Sequence, residues 1–145
     1  MFKDVPIEAA KVLVEGLDKK IVKRNSENLE SLANALIGSR EYERAADILF
    51  EASQLTDDPN LPYRLGQIEL NLSRWEKAIK SFELAEEYGW DEDEGQIDYF
   101  IGICLIELKK LEDAISYLSK ASEAGKEDSV KPWLEYIQYL KDTAG

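Results

Sequence analysis

Three pairs of alanines, each pair spaced seven apart, recur along the chain: Ala45 and Ala52, Ala78 and Ala85, Ala114 and Ala121. The first members of the pairs stand 33 and 36 residues apart, near the ~34-residue period of stacked helical hairpins. Each pair brackets a large apolar residue four after its first alanine (Leu49, Phe82, Leu118), and Tyr42, Trp75 or Leu111 lies three before it. At a fixed offset upstream stand Leu32-Ala33, Leu65-Gly66 and Ile101-Gly102. Two antiparallel helices approach closely only where a side chain ends at Cβ or earlier, and the large residues fill the gaps beside that contact. The clearest copy is 65–85, LGQIELNLSRWEKAIKSFELA, a helical hairpin with a polar turn at Asn71-Leu72-Ser73-Arg74.

The rest of the chain reads as more of the same. Pro6 suits the first turn of a helix, with Asp4 as its cap. Ile7, Ala10, Leu13, Val14, Leu17 and Ile21 then recur at helical spacing. Lys19, Lys20, Lys23 and Arg24 suit the negative end of that helix, and Asn25-Ser26 offers a new cap. A second helix is predicted over 26–37 and a third through Tyr42, Ala45, Ile48, Leu49 and Ala52. Thr56-Asp57-Asp58-Pro59-Asn60 breaks the pattern, because a residue before proline is pushed out of helical geometry. The central hairpin ends at Tyr88-Gly89 and leads into the acidic connection Trp90-Asp91-Glu92-Asp93-Glu94-Gly95. Ile97, Ile101, Cys104, Leu105 and Leu108 mark the inward side of the next helix. Another covers 111–124 and stops at Gly125. Ser129 is expected to cap a last helix that buries Trp133, Tyr136, Ile137 and Leu140. Eight helices and no strand is the reading.

Composition narrows the function. A chain of 145 residues buries roughly two-thirds of its unfolded surface, enough for one domain without staples. With 30 acidic and 18 basic side chains the formal charge is −12, so nucleic acid, which needs a concentrated basic face, is excluded as a partner. The same acidity suits a basic polypeptide, or serves to keep the protein dispersed. One cysteine and no histidine rule out a disulfide framework or a zinc site, and no cofactor or metal is expected. No run approaches the ~20 apolar residues of a membrane span. Lys3, Asp4 and Glu8 precede any apolar stretch, which argues against a secretory signal and for a cytoplasmic location. Without histidine or a phosphate-binding glycine loop, and with Cys104 inside an apolar run, enzyme activity finds no support.

The pattern resembles the tetratricopeptide repeat, whose signature runs W-x2-L-G-x2-Y, then A-x3-F, then A and P. Three copies span 26–128. The alanine and glycine positions are kept, whereas Leu29, Pro62 and Asp98 replace the tryptophan and Leu36, Glu69 and Leu105 the tyrosine. Asp57, Trp90 and Lys126 occupy the closing proline position. Trp133, Tyr136 and Ile137 resemble the start of a fourth copy that stops, which is how such arrays cap an end. The resemblance implies a single all-α domain, a right-handed superhelical α-solenoid. Its parts would be an N-terminal helix (1–25), copies at 26–58, 59–94 and 95–128, and a capping helix (129–145).

It also implies where a partner would sit. First helices of such hairpins line the concave side, where the family binds extended or helical peptides. By position that side presents Asn34, Tyr63, Arg64, Gln67 and Asn71, with Glu30 beside them; the third copy adds Gln96, Tyr99, Phe100 and Ile103. The carboxylate clamp used by one variety of the family is matched only at Asn34. The third copy is instead apolar nearly all round, which a singly buried helix would not be. Either the N-terminal helix or another subunit covers it, or it accepts a protein segment with apolar anchors and basic flanks. The expected function is therefore a non-enzymatic adaptor or chaperone. The alternative is a self-assembling scaffold, a homo-oligomer joined through termini and charged loops, since the acidic run 83–94 and the cations of 19–24 would lie far apart in one molecule.

Overall fold

The computed structural model describes residues 10–11 and 23–144. Asn25 opens the first hairpin: its side-chain oxygen accepts from the Asn28 N–H at 2.8 Å, satisfying one of the donors a helix start leaves free. Helices α1 (Ser26–Gly38) and α2 (Tyr42–Ser53) form that hairpin, α3 (Asn60–Asn71) and α4 (Trp75–Glu87) the second, α5 (Gln96–Glu107) and α6 (Leu111–Ala121) the third. A π-helical segment, Ser122–Lys126, leads into α7 (Glu127–Ala144). Among the described residues there is no strand.

The three hairpin turns are built alike. Arg40, Ser73 and Lys109 each take a left-handed conformation, with φ of 63°, 61° and 64°. The N–H that follows each of them reaches back five residues, Glu41 to the Leu36 carbonyl, Arg74 to Glu69 and Lys110 to Leu105. These bonds satisfy carbonyls that the helix end would otherwise leave open.

Packing runs between neighbours along the chain. The two helices of each hairpin pack most extensively, α2 then lies on α3, α4 on α5, and α7 closes over α6 and α5. The buried apolar side chains accordingly fall into two clusters rather than one centre. The first gathers α1, α2 and the start of α3 around Leu29, Leu32, Leu36, Leu49 and Leu65, and it includes Ala10. The second joins α4 to α7 around Phe82, Ile101, Leu118, Val130 and Ile137. Each such side chain contributes about 1.5–3 kcal/mol on burial. The small residues have the role their spacing implies: a Cβ on Gly66 would stand 2.7 Å from the Phe82 ring, and one on Gly102 2.6 Å from Leu118.

Some details differ from the sequence reading, among them Tyr136, which is exposed rather than buried on the last helix. Gly125 does turn the chain, with φ 99°, but α7 begins at Glu127. Ser129 therefore lies within the first turn and is not the cap; Glu127 and Asp128 supply the negative charge that a helix start favours. Pro132 falls in the second turn, exposed, where it removes one helix hydrogen bond. Of the N-terminal helix expected over 1–25, only Ala10 and Lys11 are described as helical. Ala10, 4% exposed, packs in the first cluster and not on α5. The Asp4 cap, Pro6 and Lys19–Lys20 lie outside the described residues.

Candidate protein-binding surface

The first helices α1, α3 and α5 share one side of the molecule with α7, and side-chain pairs link them in sequence. Arg64 on α3 donates to the Asn34 side-chain oxygen on α1. Tyr63 on α3 lies 6.3 Å, ring to ring, from Phe100 on α5. The Trp133 indole N–H on α7 donates to the Tyr99 hydroxyl at 2.9 Å. Helical geometry sets Tyr63, Gln67 and Asn71 on one flank of α3, opposite the buried Leu65 and Glu69. Asn34 and Asn71 are exposed; Tyr63, Arg64, Gln67, Tyr99, Phe100 and Ile103 are half-buried. Gln67, Asn71 and Ile103 are not members of these bridging pairs.

An aromatic layer runs beneath this side. Gly89 takes φ 101° after α4, and the Trp90 N–H returns to the Ala85 carbonyl. That left-handed turn throws Trp90 back onto Tyr63, with centroids 3.7 Å apart and planes 9° from parallel. Phe100 stacks on Phe82 at 5.2 Å and neighbours Tyr99 at 6.0 Å. Trp133 meets Tyr136 edge-on at 6.3 Å. This layer explains why α5 is apolar nearly all round: α4, α6 and α7 each cover part of it, and Trp133 reaches Tyr99.

The acidic connection lies against the layer. Burial, then the Asp93 and Glu92 carboxylates, push the Tyr63 phenol above its ordinary value. Asp93 pairs with Lys126 at 2.8 Å. Trp90 Nε1 is buried without a hydrogen-bond partner, beside a cleft of about 390 Å³ rimmed by Glu86, Asp91, Asp93 and Asp98. Burial raises the carboxyl groups of Glu86 and Asp98, with Lys120 opposing the shift in both. Arg24 is engaged with Glu51 on α2, so this member of the cationic stretch is tied down within the molecule.

A larger cleft, about 620 Å³, opens on the other side between α2 and α4. Its floor is Glu69, 4% exposed, at the position where the repeat signature carries tyrosine. Ser81 on α4 donates to Glu69. Sequence reasoning did not find this cleft, although the departure from tyrosine at Glu69 was its visible sign.

Cys104 is fully buried, and its thiol is pushed up to about 12 by that burial. It stays protonated and behaves as a small apolar side chain. Among the described residues no cluster of three or more acidic or cysteine side chains is arranged to hold a metal ion, and no helix is long and apolar enough to cross a membrane.

No family model matches the sequence, and no curated protein matches it. Solved structures do match its fold. MamA from Desulfovibrio magneticus RS-1, residues 41 to the end, superimposes with a TM-score of 0.74 at 22% identity, covering 94% of this chain and 76% of that one. MamA of MSR-1 gives 0.68 at 21% identity, with 86% and 70% covered, and MamA of AMB-1 gives 0.66 at 23%, with 79% and 61%. MamA is a tetratricopeptide-repeat-like protein. The chain is thus a tetratricopeptide-repeat-type α-solenoid, an all-α superhelix of stacked hairpins closed by a capping helix, with a fold similar to that of MamA.

Proposed function

We propose that the protein is a non-enzymatic, cytoplasmic adaptor or chaperone that holds a segment of another protein across α1, α3 and α5. The observation that carries this reading is the polar pair Asn34–Arg64 standing beside half-exposed Tyr63, Phe100 and Tyr99 on the same side. Aromatic side chains supply large contact area at little entropic cost, and the polar residues orient the guest. Asp93 and Glu92 next to Tyr63 favour basic residues flanking its apolar anchors. The test places a photo-crosslinking amino acid at Gln67 or Asn71, and at exposed Ser116 on the outer helix α6. A partner captured from Gln67 and Asn71 but not from Ser116 supports the reading. Capture from Ser116 alone refutes it.

A self-assembling scaffold is the second reading, favoured by Tyr136 and Tyr139 on α7, which are 41% and 61% exposed. Exposed rings side by side on one helix offer apolar surface to another molecule. Light scattering over a wide concentration range decides it, since a strict monomer throughout removes this reading.

A further inference from the structure

The outer cleft combines features that a merely structural gap lacks. Its floor holds a carboxylate that is almost wholly buried, and Ser81 is that carboxylate's only hydrogen-bond partner among the described residues. A buried carboxylate ordinarily takes several donors or an ion pair. Arg74 and Lys77 line the same cleft, yet neither is within salt-bridge distance of Glu69; Arg74 instead leans on Asp47 at 3.7 Å. At the lip stands Phe50, 56% exposed, with Leu84 facing it from α4. Asp47, Glu83 and Glu87 join Glu69 in the lining against Arg74, Lys77 and Lys80, and apolar Phe50 and Leu84 beside this half-satisfied carboxylate suit an aliphatic chain with a cationic head.

We propose that this cleft is a second binding site, which takes an arginine or lysine side chain of a partner polypeptide. The cationic head donates to Glu69 and the methylene stem lies between Phe50 and Leu84. The charge of −12 draws basic partners to the protein as a whole, and the cleft selects one side chain from them. Desolvation raises the Glu69 carboxyl, so a matched cation stabilises the ionised form that burial disfavours. The inference is independent of the reading for the opposite side, because no residue is shared.

The experiment titrates the full-length protein with n-butylguanidinium, a mimic of the arginine head and stem, and follows backbone amide resonances. N-butylurea, its uncharged counterpart, is the control. Saturable shifts confined to Phe50, Glu69, Ser81 and Leu84, with butylurea binding about tenfold more weakly, are expected. Glu69→Gln should bring the two probes level. Phe50→Ala, at an exposed position that cannot unfold the core, should weaken both severalfold. Unsaturable shifts spread along 83–94 would reveal general charge attraction and overturn the proposal, as would Glu69→Gln or Phe50→Ala leaving butylguanidinium binding unchanged.

Discussion

Gly66 and Phe82 stand so close that a Cβ on the glycine would lie 2.7 Å from the ring Cε1 atom. Phe82 is fully buried and stacked on Phe100, so the ring has nowhere to retreat. Gly66→Ala gains about 1 kcal/mol of helix propensity but overpacks the contact, a cost of about 1–3 kcal/mol. The expected result is a lower melting temperature. Adding Phe82→Leu should recover part of the loss; recovery absent from the double variant counts against steric contact as the cause.

That contact was legible in the sequence because close approach of two helices admits few residue types, and those types recur at fixed offsets. The hairpins follow from the same logic. What the sequence did not disclose depends on backbone geometry or distant chain. In the sequence Trp90 belongs to an acidic connection, yet the left-handed turn at Gly89 returns it to Tyr63. The apolar third copy leaves open in sequence whether the N-terminal helix, another subunit or a protein segment covers α5, and Trp133, 34 residues downstream of Tyr99, supplies part of that cover. Of the inner-side residues named from the repeat resemblance, the structure couples Asn34 to Arg64, Tyr63 to Phe100 and Tyr99 to Trp133. Periodicity names the side of a helix, but not which neighbour will lie on it.

The hairpin turns hold a reserve of stability. Arg40, Ser73 and Lys109 sit in the left-handed region, where a side chain costs roughly 1–2 kcal/mol and glycine costs least. Each single substitution by glycine should stabilise the protein by about 1 kcal/mol, read from chemical denaturation. The reverse change at Gly89, φ 101°, should destabilise by a similar ~1 kcal/mol. A rise in stability with Gly89→Ala would contradict this account.

Burial raises the Glu69 carboxyl above its unfolded value; the Ser81 hydrogen bond opposes the shift, as do Lys77 and Arg74, while Asp47 adds to it. The folded state therefore holds that proton more tightly than the unfolded chain does. Stability is higher when the group is protonated and falls as pH rises from the ordinary carboxylate range through the folded-state value. Glu86 and Asp98, raised by burial as well, act in the same direction. Glu69→Gln should raise the melting temperature at neutral pH, and its advantage should shrink on acidification. An advantage that is constant with pH would locate the effect elsewhere than in ionisation.

Cys104 offers a probe of global opening. With the thiol fully buried and pushed up to about 12, the reactive thiolate is nearly absent at neutral pH. Labelling by an aromatic disulfide reagent should be slow in the native protein and rapid in denaturant. Fast native labelling would mean that α5 opens locally, apart from the rest of the array.

The bond from Trp133 to the Tyr99 hydroxyl measures how firmly the capping helix holds the third hairpin. Tyr99→Phe and Trp133→Phe each remove one partner of it, and each should cost about 1 kcal/mol, with the double variant costing less than the sum. Val130 and Ile137 remain buried on α7 in both, so the cap should stay in place and apolar-dye binding should barely rise. If α7 is held chiefly by this hydrogen bond rather than by its apolar side, either single variant will bind dye as strongly as a chain truncated before Glu127. Burial of two aliphatic side chains, about 1.5–3 kcal/mol each, outweighs one neutral hydrogen bond, and it predicts the weaker dye signal.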